Sequence, residues 1–307
     1  MSSLSTGVII RSTGSWYQVK AEAGNIIDCK LKGSFKIRGI RNTNPLAVGD
    51  VVSFRFIQDK EIGLIEKIYK RKNYIIRKAT KLSKASHIIA SNIDQAILIT
   101  SLVKPRTTSG FIDRFLVTAE AYHIPVLLVF NKYDLYEQEE KLMLKQYENV
   151  YGSIGYKIIT TSVKSGLNLN LFTEALKNKT SMLSGHSGVG KSAMINYIDP
   201  TLNLKEGEIS QTHAKGKHTT TFAAMFPLSF GGNIIDTPGI KEFGLVGFEK
   251  EELGQRFPEM RSRMNKCKFN NCLHVNEPGC AIRSAVENGE IAAFRYKNYL
   301  NMLSELE

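Results

Sequence analysis

Gly185-His186-Ser187-Gly188-Val189-Gly190-Lys191-Ser192 decides how this chain is read. It fits the pattern of Gly, four residues, Gly, Lys and then Ser or Thr, in which glycines let backbone N–H groups turn inward on phosphate oxygens. The context agrees. Thr180 to Leu183 can form the strand before it, and Ala193-Met194-Ile195-Asn196-Tyr197 the opening of a helix after it, whose N-terminus adds partial positive charge. The pattern predicts a phosphate cradle from Gly185, His186, Ser187, Gly188, Val189, Gly190 and Ala193. Lys191 is expected to reach the β- and γ-phosphates, and the Ser192 hydroxyl to bind Mg²⁺.

Upstream, Asn131-Lys132-Tyr133-Asp134 follows an apolar run ending at Phe130. A carboxylate can accept two hydrogen bonds from the N1–H and N2–H₂ edge of guanine, and adenine offers no such pair of donors. A buried polar edge left unpaired lets a site reject the wrong partner by about 10⁴ to 10⁵. Asp134 is therefore expected to select guanine, with Asn131 and Lys132 completing the motif. Thr161-Ser162-Val163-Lys164-Ser165-Gly166 reads as the companion loop, with the N–H groups around Ser162 and Val163 near the guanine O6.

Downstream, Asp236 precedes Thr237-Pro238-Gly239, as a metal-organising carboxylate at a strand end would. The Gly239 N–H is expected to meet the γ-phosphate. Thr219, Thr220 and Thr221 lie between the phosphate loop and this Asp, and one of their hydroxyls would complete the Mg²⁺ shell. The sequence does not choose among the three. Most GTP-binding domains begin with the phosphate loop, whereas here the guanine motif comes first. The parts predict a GTPase, and their order predicts a circular permutation.

Before these motifs the texture differs. Gly7-Val8-Ile9-Ile10, Trp16-Tyr17-Gln18-Val19, Ile26-Ile27-Asp28-Cys29, Val51-Val52-Ser53-Phe54 and Gly63-Leu64-Ile65-Glu66 read as short strands between turns, which suggests a small barrel of the OB type. Residues 70 to 90 read as a polar linker. After it, Ile97-Leu98-Ile99, Val126 to Phe130, Lys157 to Thr160 and Ile234-Ile235 look like parallel strands covered on both faces. Phe111 to Tyr122 and Leu169 to Leu176 look like crossover helices, and Ser284 to Leu303 like one or two closing helices. The expected fold class is multidomain: an N-terminal all-β OB-fold barrel for RNA binding over 1–70, a circularly permuted α/β P-loop GTPase domain over 71–242, and a mostly helical zinc-binding domain over 243–307.

The net charge is +12 and is unevenly placed. Residues 1–90 carry 17 Lys and Arg against 6 Asp and Glu, while the rest of the chain carries 24 against 23. A basic field of this kind attracts polyanions, of which nucleic acid is the commonest large one in a cell. Lys30-Leu31-Lys32-Gly33-Ser34-Phe35-Lys36-Ile37-Arg38 interleaves charge with an aromatic, as single-strand binders do, though an exposed strand pair would read the same way. No apolar run is long enough to span a bilayer, and Met1 to Thr6 lacks the basic start and apolar stretch of a secretory signal. A cytoplasmic location is expected.

Three of the four cysteines crowd together with a histidine. Cys267 and Cys272 are separated by four residues, His274 follows after one more, and Cys280 after a further five. In a cytosolic chain this reads as metal ligation, here the Cys₃His set of a closed structural zinc site with no position left for water. Cys29 stands apart and is expected to be a buried or bystander thiol.

On these residues the chain resembles one family, the circularly permuted GTPases of the RsgA (YjeQ) type that associate with the small ribosomal subunit. The resemblance rests on the barrel, the permuted motif order, Gly216-Lys217-His218-Thr219-Thr220-Thr221 and the Cys267, Cys272, His274, Cys280 arrangement, and it covers essentially the whole chain. It implies a role in late small-subunit maturation, with hydrolysis stimulated by that subunit. The partners so implied are GTP and GDP, the small subunit and its rRNA; the chain is expected to act as a monomer, without a membrane, and with one zinc ion and Mg²⁺.

The hydrolytic group is the least explicit part. Ras-like enzymes place a water-orienting Gln just after the Gly that here is Gly239, but this chain has Ile240, whose alkyl group cannot orient water. His218 is the candidate substitute, since an imidazole can accept a proton or hold water in line; the alternative is that it packs the switch or touches RNA. The corresponding alternative for the whole chain is an RNA-binding GTP/GDP switch with negligible hydrolysis.

Overall fold

A computed structural model of the chain describes residues 4–13, 15–32, 45–58, 61–78, 86–204, 223–236 and 248–306. The basic stretch beyond Lys32, from Gly33 to Arg38, lies outside the described residues. The fold divides into two compact units, one drawn from 1–96, 170–184 and 191–240, the other from 97–169, 185–190 and 241–307.

The first unit begins with β1 (Leu4–Ser12), β2 (Tyr17–Ala21), β3 (Ile26–Leu31), β4 (Val51–Ile57) and β5 (Ile62–Ile68). They pair in the order β1-β2-β3-β5-β4, and β4 pairs back onto β1, so the five strands close into a barrel. Period-two alternation drives this: in β2, Tyr17, Val19 and Ala21 are buried while Gln18 and Lys20 between them are not. Ile9, Val19, Cys29, Val52, Phe54 and Ile65 make a fully buried core. Cys29 is thus the buried thiol expected, and burial pushes it up to about 12, which leaves it inert. Gly63 has to be glycine, because a Cβ there would lie 2.4 Å from the Cys29 sulfur.

The segment read as a polar linker is structured. β6 (Tyr74–Lys78) and β7 (Ser86–Ser91) form an antiparallel pair. The segment is fastened to the barrel by Asp50, which is fully buried and accepts from the Arg71 guanidinium at 2.6 Å, the Ser91 hydroxyl at 2.6 Å and the Ala47 N–H at 2.8 Å. Asn73 pairs both ways with the backbone of Ile93, and Asn92 donates to the Gly49 carbonyl. The apolar runs are only three residues long, Tyr74-Ile75-Ile76 and Ile88-Ile89-Ala90, and the polar residues around them hide the strands.

Downstream run β8 (Gln95–Thr100), α1 (Ser109–Ala121), β9 (Val126–Phe130), α2 (Gln138–Ser153), β10 (Lys157–Thr160), α3 (Leu169–Leu176), β11 (Thr180–Ser184), α4 (Lys191–Ile198), β12 (Ala224–Pro227) and β13 (Asn233–Asp236). The C-terminal region follows with α5 (Lys250–Leu253), α6 (Pro258–Arg261), α7 (Ala281–Glu287) and α8 (Ala293–Ser304). In the first unit β11 and β13 are parallel and β12 is antiparallel to β13. In the second, β10 and β9 are parallel, with β8 on the other side of β9. Every residue of β8 and β9 is buried, as strands covered on both faces require. No helix among the described residues is long and apolar enough to cross a membrane.

The second unit joins α1 to α8 through a buried charge network. Arg295, 1 % exposed, donates to Asp113 Oδ1 at 2.6 Å and to both oxygens of Glu259 at 2.7 and 3.0 Å. Asn298 and Tyr151 add donors to Asp113 at 2.6 and 2.7 Å. The guanidinium also lies over the rings of Phe257 and Tyr151, at 4.7 and 5.5 Å. Burial alone would lower the Arg295 pKa, and the two carboxylates more than reverse that, so the cation is retained.

Candidate nucleotide site and metal centre

The guanine motif leaves the end of β9. Asn131 is 1 % exposed and is held by its backbone, its N–H donating to the Thr100 carbonyl at 2.8 Å and its own carbonyl accepting from the Tyr136 hydroxyl at 2.8 Å. Its side chain bridges two loops: Nδ2 donates to the Val189 carbonyl at 2.8 Å, and Oδ1 accepts from the Thr161 hydroxyl at 3.2 Å. Lys132 takes a left-handed backbone, φ 65°, and its Nζ donates to the Lys104 carbonyl at 2.6 Å. Asp134 is exposed, and its Oδ1 accepts from the Ser162 hydroxyl at 2.5 Å. Ser162 Oγ in turn accepts from the Ser165 N–H at 3.2 Å. Val163 follows Ser162 in this same short loop and is partly buried. Residues 131–134 and 161–165 are thus brought together.

The phosphate loop runs from the end of β11 into α4. Gly185, Gly188 and Gly190 have φ of +142°, +83° and +100°, conformations that side chains disfavour. Two of them are also places of close approach. A Cβ at Gly185 would sit 2.1 Å from the Ile99 carbonyl oxygen, and one at Gly190 would sit 2.5 Å from Asn131 Nδ2. Val189 is fully buried, and its N–H donates to the His186 carbonyl at 3.4 Å. The His186 ring packs on Phe111 at 4.0 Å between centroids. Ser187 and Gly188 form the exposed tip of the loop, and Ala193 is exposed one residue past Ser192.

In the first unit, Lys191 and Ser192 open α4 and are both buried, a placement lysine adopts only when something holds its charge. Asp236 ends β13 and is in register with Leu183 of β11, two residues before Gly185. It too is buried. His218, Thr219, Thr220, Thr221, Thr237, Pro238, Gly239 and Ile240 lie outside the described residues. Sequence reasoning missed Tyr136, whose hydroxyl accepts from the Leu102 N–H at 3.0 Å while fixing Asn131, and Phe111 under His186. No motif marks either one.

The four zinc-ligand candidates do come together. One ligand atom from each of Cys267, Cys272, His274 and Cys280 lies within 4.8 Å of all the others. A tetrahedron with metal–sulfur arms of about 2.3 Å has edges of about 3.8 Å, so the cluster is near the size of such a site. His274 turns Nδ1 toward the sulfurs, 3.4 Å from Cys280 and 3.7 Å from Cys267. Its Nε2 is buried with no hydrogen-bond partner among the described residues. Burial pushes the Cys272 thiol up to about 12 and lowers His274, so without a cation these two are neutral, poorly solvated donors. Three soft thiolates and an imidazole are the donor set that suits zinc.

The scaffold around the cluster is firm. Tyr296 and Tyr299 donate their hydroxyls to the carbonyls of His274 and Leu273 at 2.6 and 2.7 Å. Glu277 accepts from the N–H groups of Leu273, Val275 and Asn276 at 2.6 to 3.0 Å. Burial would raise the Glu277 pKa, but these donors outweigh it and hold the carboxyl below its ordinary range. Cys280 caps α7, its sulfur accepting from the Arg283 N–H at 3.5 Å.

Comparisons with known proteins agree over nearly all of the chain. The family model described as RsgA GTPase matches residues 68–246, and that described as RsgA N-terminal domain matches residues 6–65. Among relatives, the small ribosomal subunit biogenesis GTPase RsgA of Christiangramia forsetii is 54 % identical over 299 residues, covering 97 % of this chain and 95 % of that one. The protein of the same name from Flavobacterium psychrophilum is 50 % identical, covering 97 % and 92 %. Among solved structures, YjeQ from Thermotoga maritima aligns with a TM-score of 0.79 at 34 % identity, covering 99 % of both chains. YloQ, described as a circularly permuted GTPase, aligns with a TM-score of 0.76 at 32 % identity, covering 99 % and 95 %.

Proposed function

This chain belongs to the RsgA GTPase family, and on that premise we propose that it hydrolyses GTP while bound to the small ribosomal subunit, late in that subunit's maturation. Guanine selection rests on one observation above all: Asn131 ties the base-reading motif to the phosphate loop, with Asp134 presented at the surface beside Ser162. In the bound state Asp134 accepts from the guanine N1–H and N2–H₂ edge, with Asn131, Lys132 and the N–H groups near Ser162 and Val163 framing the base. The loop of Gly185, His186, Ser187, Gly188, Val189 and Gly190, leading into Ala193, holds the phosphates, and Lys191 neutralises their charge.

Ser192, Asp236 and one of Thr219, Thr220 and Thr221 would hold Mg²⁺, which when bound with GTP offsets charge on the β- and γ-phosphates. Gly239 would meet the γ-phosphate and His218 would orient the attacking water in place of a glutamine. Cys267, Cys272, His274 and Cys280 hold one zinc ion as a structural brace, leaving no open ligand position for catalysis.

The relatives' printed names supply the small subunit as the partner. The charge supplies the mode of contact, since the excess of Lys and Arg over residues 1–90 favours rRNA. On this reading 1–70 is the RNA-binding barrel, 71–242 the GTPase domain and 243–307 the zinc domain of a cytoplasmic monomer. Cosedimentation with purified small subunits, in GDP and in a non-hydrolysable GTP analogue, tests it. Nucleotide-dependent binding supports the proposal, and equal, weak retention in both states counts against it.

A further inference from the structure

The outer face of β1, β2 and β3 carries an arrangement that folding of the barrel does not use. Arg11 is in register with Gln18, and Gln18 with Asp28, so three polar side chains stand side by side on three neighbouring strands. None of the three makes a side-chain hydrogen bond or ion pair among the described residues. Trp16, two residues before Gln18 and on the same face, is 38 % exposed. Lys30, two residues after Asp28, holds its ammonium 4.1 Å from the centre of the indole. Arg11, Thr13, Trp16, Gln18 and Asp28 line one cavity of about 380 Å³. That is at the small end of the roughly 300–1,000 Å³ of small-ligand sites, the right scale for one planar group.

A cation over an indole is a common surface contact by itself. The ladder beside it is what points to a ligand. An aromatic face, a guanidinium, an amide and a carboxylate converge on one recess in the most basic part of the chain, and together they match the parts of a nucleotide. We propose that this recess is a subsite for a single unstacked base of single-stranded RNA. The base stacks on Trp16, Asp28 and Gln18 meet its hydrogen-bonding edge, and Arg11 and Lys30 meet the flanking phosphates. A carboxylate accepts only, and guanine is the base whose Watson–Crick edge offers it two adjacent N–H donors, so the site favours guanine over uracil. The inference rests on the reading of the barrel as an RNA-binding module and names the position at which that module reads a base.

Trp16 is the only tryptophan in the chain, so indole fluorescence reports this site alone. The experiment uses the full chain saturated with GDP, which keeps the guanine site occupied, titrated with short single-stranded RNA oligomers, one G-rich and one all U. The expected result is saturable quenching by both, tighter for the G-rich oligomer. Trp16→Ala should weaken binding about tenfold, as loss of one stacked base does, while Trp16→Phe retains most of the affinity. Asp28→Asn should remove the preference between the oligomers. Unchanged fluorescence, together with undiminished binding by the Trp16→Ala protein, overturns the subsite but leaves the proposed function standing. Failure of the wild-type chain to bind either oligomer or small subunits overturns both.

Discussion

Asn131 donates its side-chain N–H to the carbonyl of Val189 at 2.8 Å across 58 residues of sequence. The guanine motif therefore grips the phosphate loop directly, and Gly190 is bare because a Cβ there would strike the same amide. The order in which the chain supplies the two segments does not matter to this contact, so a permuted sequence can still bring them together.

Asn131→Ala should leave the buried Val189 carbonyl and Thr161 hydroxyl without their partner. A lost buried hydrogen bond of this kind costs about 1–3 kcal/mol, so GDP affinity should fall roughly five- to a hundredfold. Titration with a fluorescent GDP analogue measures it, and an unchanged dissociation constant would mean that the contact does not organise the site.

Asp134→Asn replaces an acceptor with a group that also donates. Preference for GTP over ATP should collapse by on the order of 10³-fold or more, and xanthine nucleotides, which present a carbonyl where guanine has its amino group, should now compete. Competition assays with GTP, XTP and ATP decide it; retained guanine selectivity would move base recognition away from Asp134.

The metal prediction has a pH sign. Metal binding displaces protons from the cysteine thiols, and burial already favours the protonated form of Cys272, pushed up to about 12. Affinity should therefore fall as pH falls, by about tenfold per pH unit for each proton displaced. Metal analysis should find one zinc per chain, and a strong chelator should unfold the C-terminal region as followed by proteolysis. Full protease resistance of the chelated, metal-free chain would show that zinc is not the brace.

Arg295 balances two buried carboxylates, and Arg295→Met should leave Asp113 and Glu259 facing each other uncompensated. Breaking a buried pair in this way costs about 3–5 kcal/mol, which corresponds to a fall of roughly 6–20 °C in melting temperature. Calorimetry checks it, and a shift below about 2 °C would mean that the network contributes little to holding α1 and α8 together.

The motifs were legible because their chemistry restricts residue type at fixed spacing. Lys191, Asp134 and the Cys₃His set can hardly be other residues, and the apolar runs of β9 and β10 mark strands with their exact limits. What stayed hidden is pairwise and distant. Nothing near Asp113 in sequence signals Arg295, 182 residues away. Tyr136 looks like any loop aromatic until its hydroxyl is seen between Leu102 and Asn131. The pair β6 and β7 escaped because its apolar runs are short, and the contact that fastens the segment to the barrel joins Asp50 and Arg71, outside both strands. The cross-strand ladder Arg11, Gln18 and Asp28 needs a register that no local pattern supplies.

The most direct test of the account is steady-state GTP hydrolysis by the purified chain alone, with small ribosomal subunits, and with large subunits. The account predicts slow turnover alone, a large stimulation by small subunits and none by large ones. Equal stimulation by both subunits, or by neither, would contradict it.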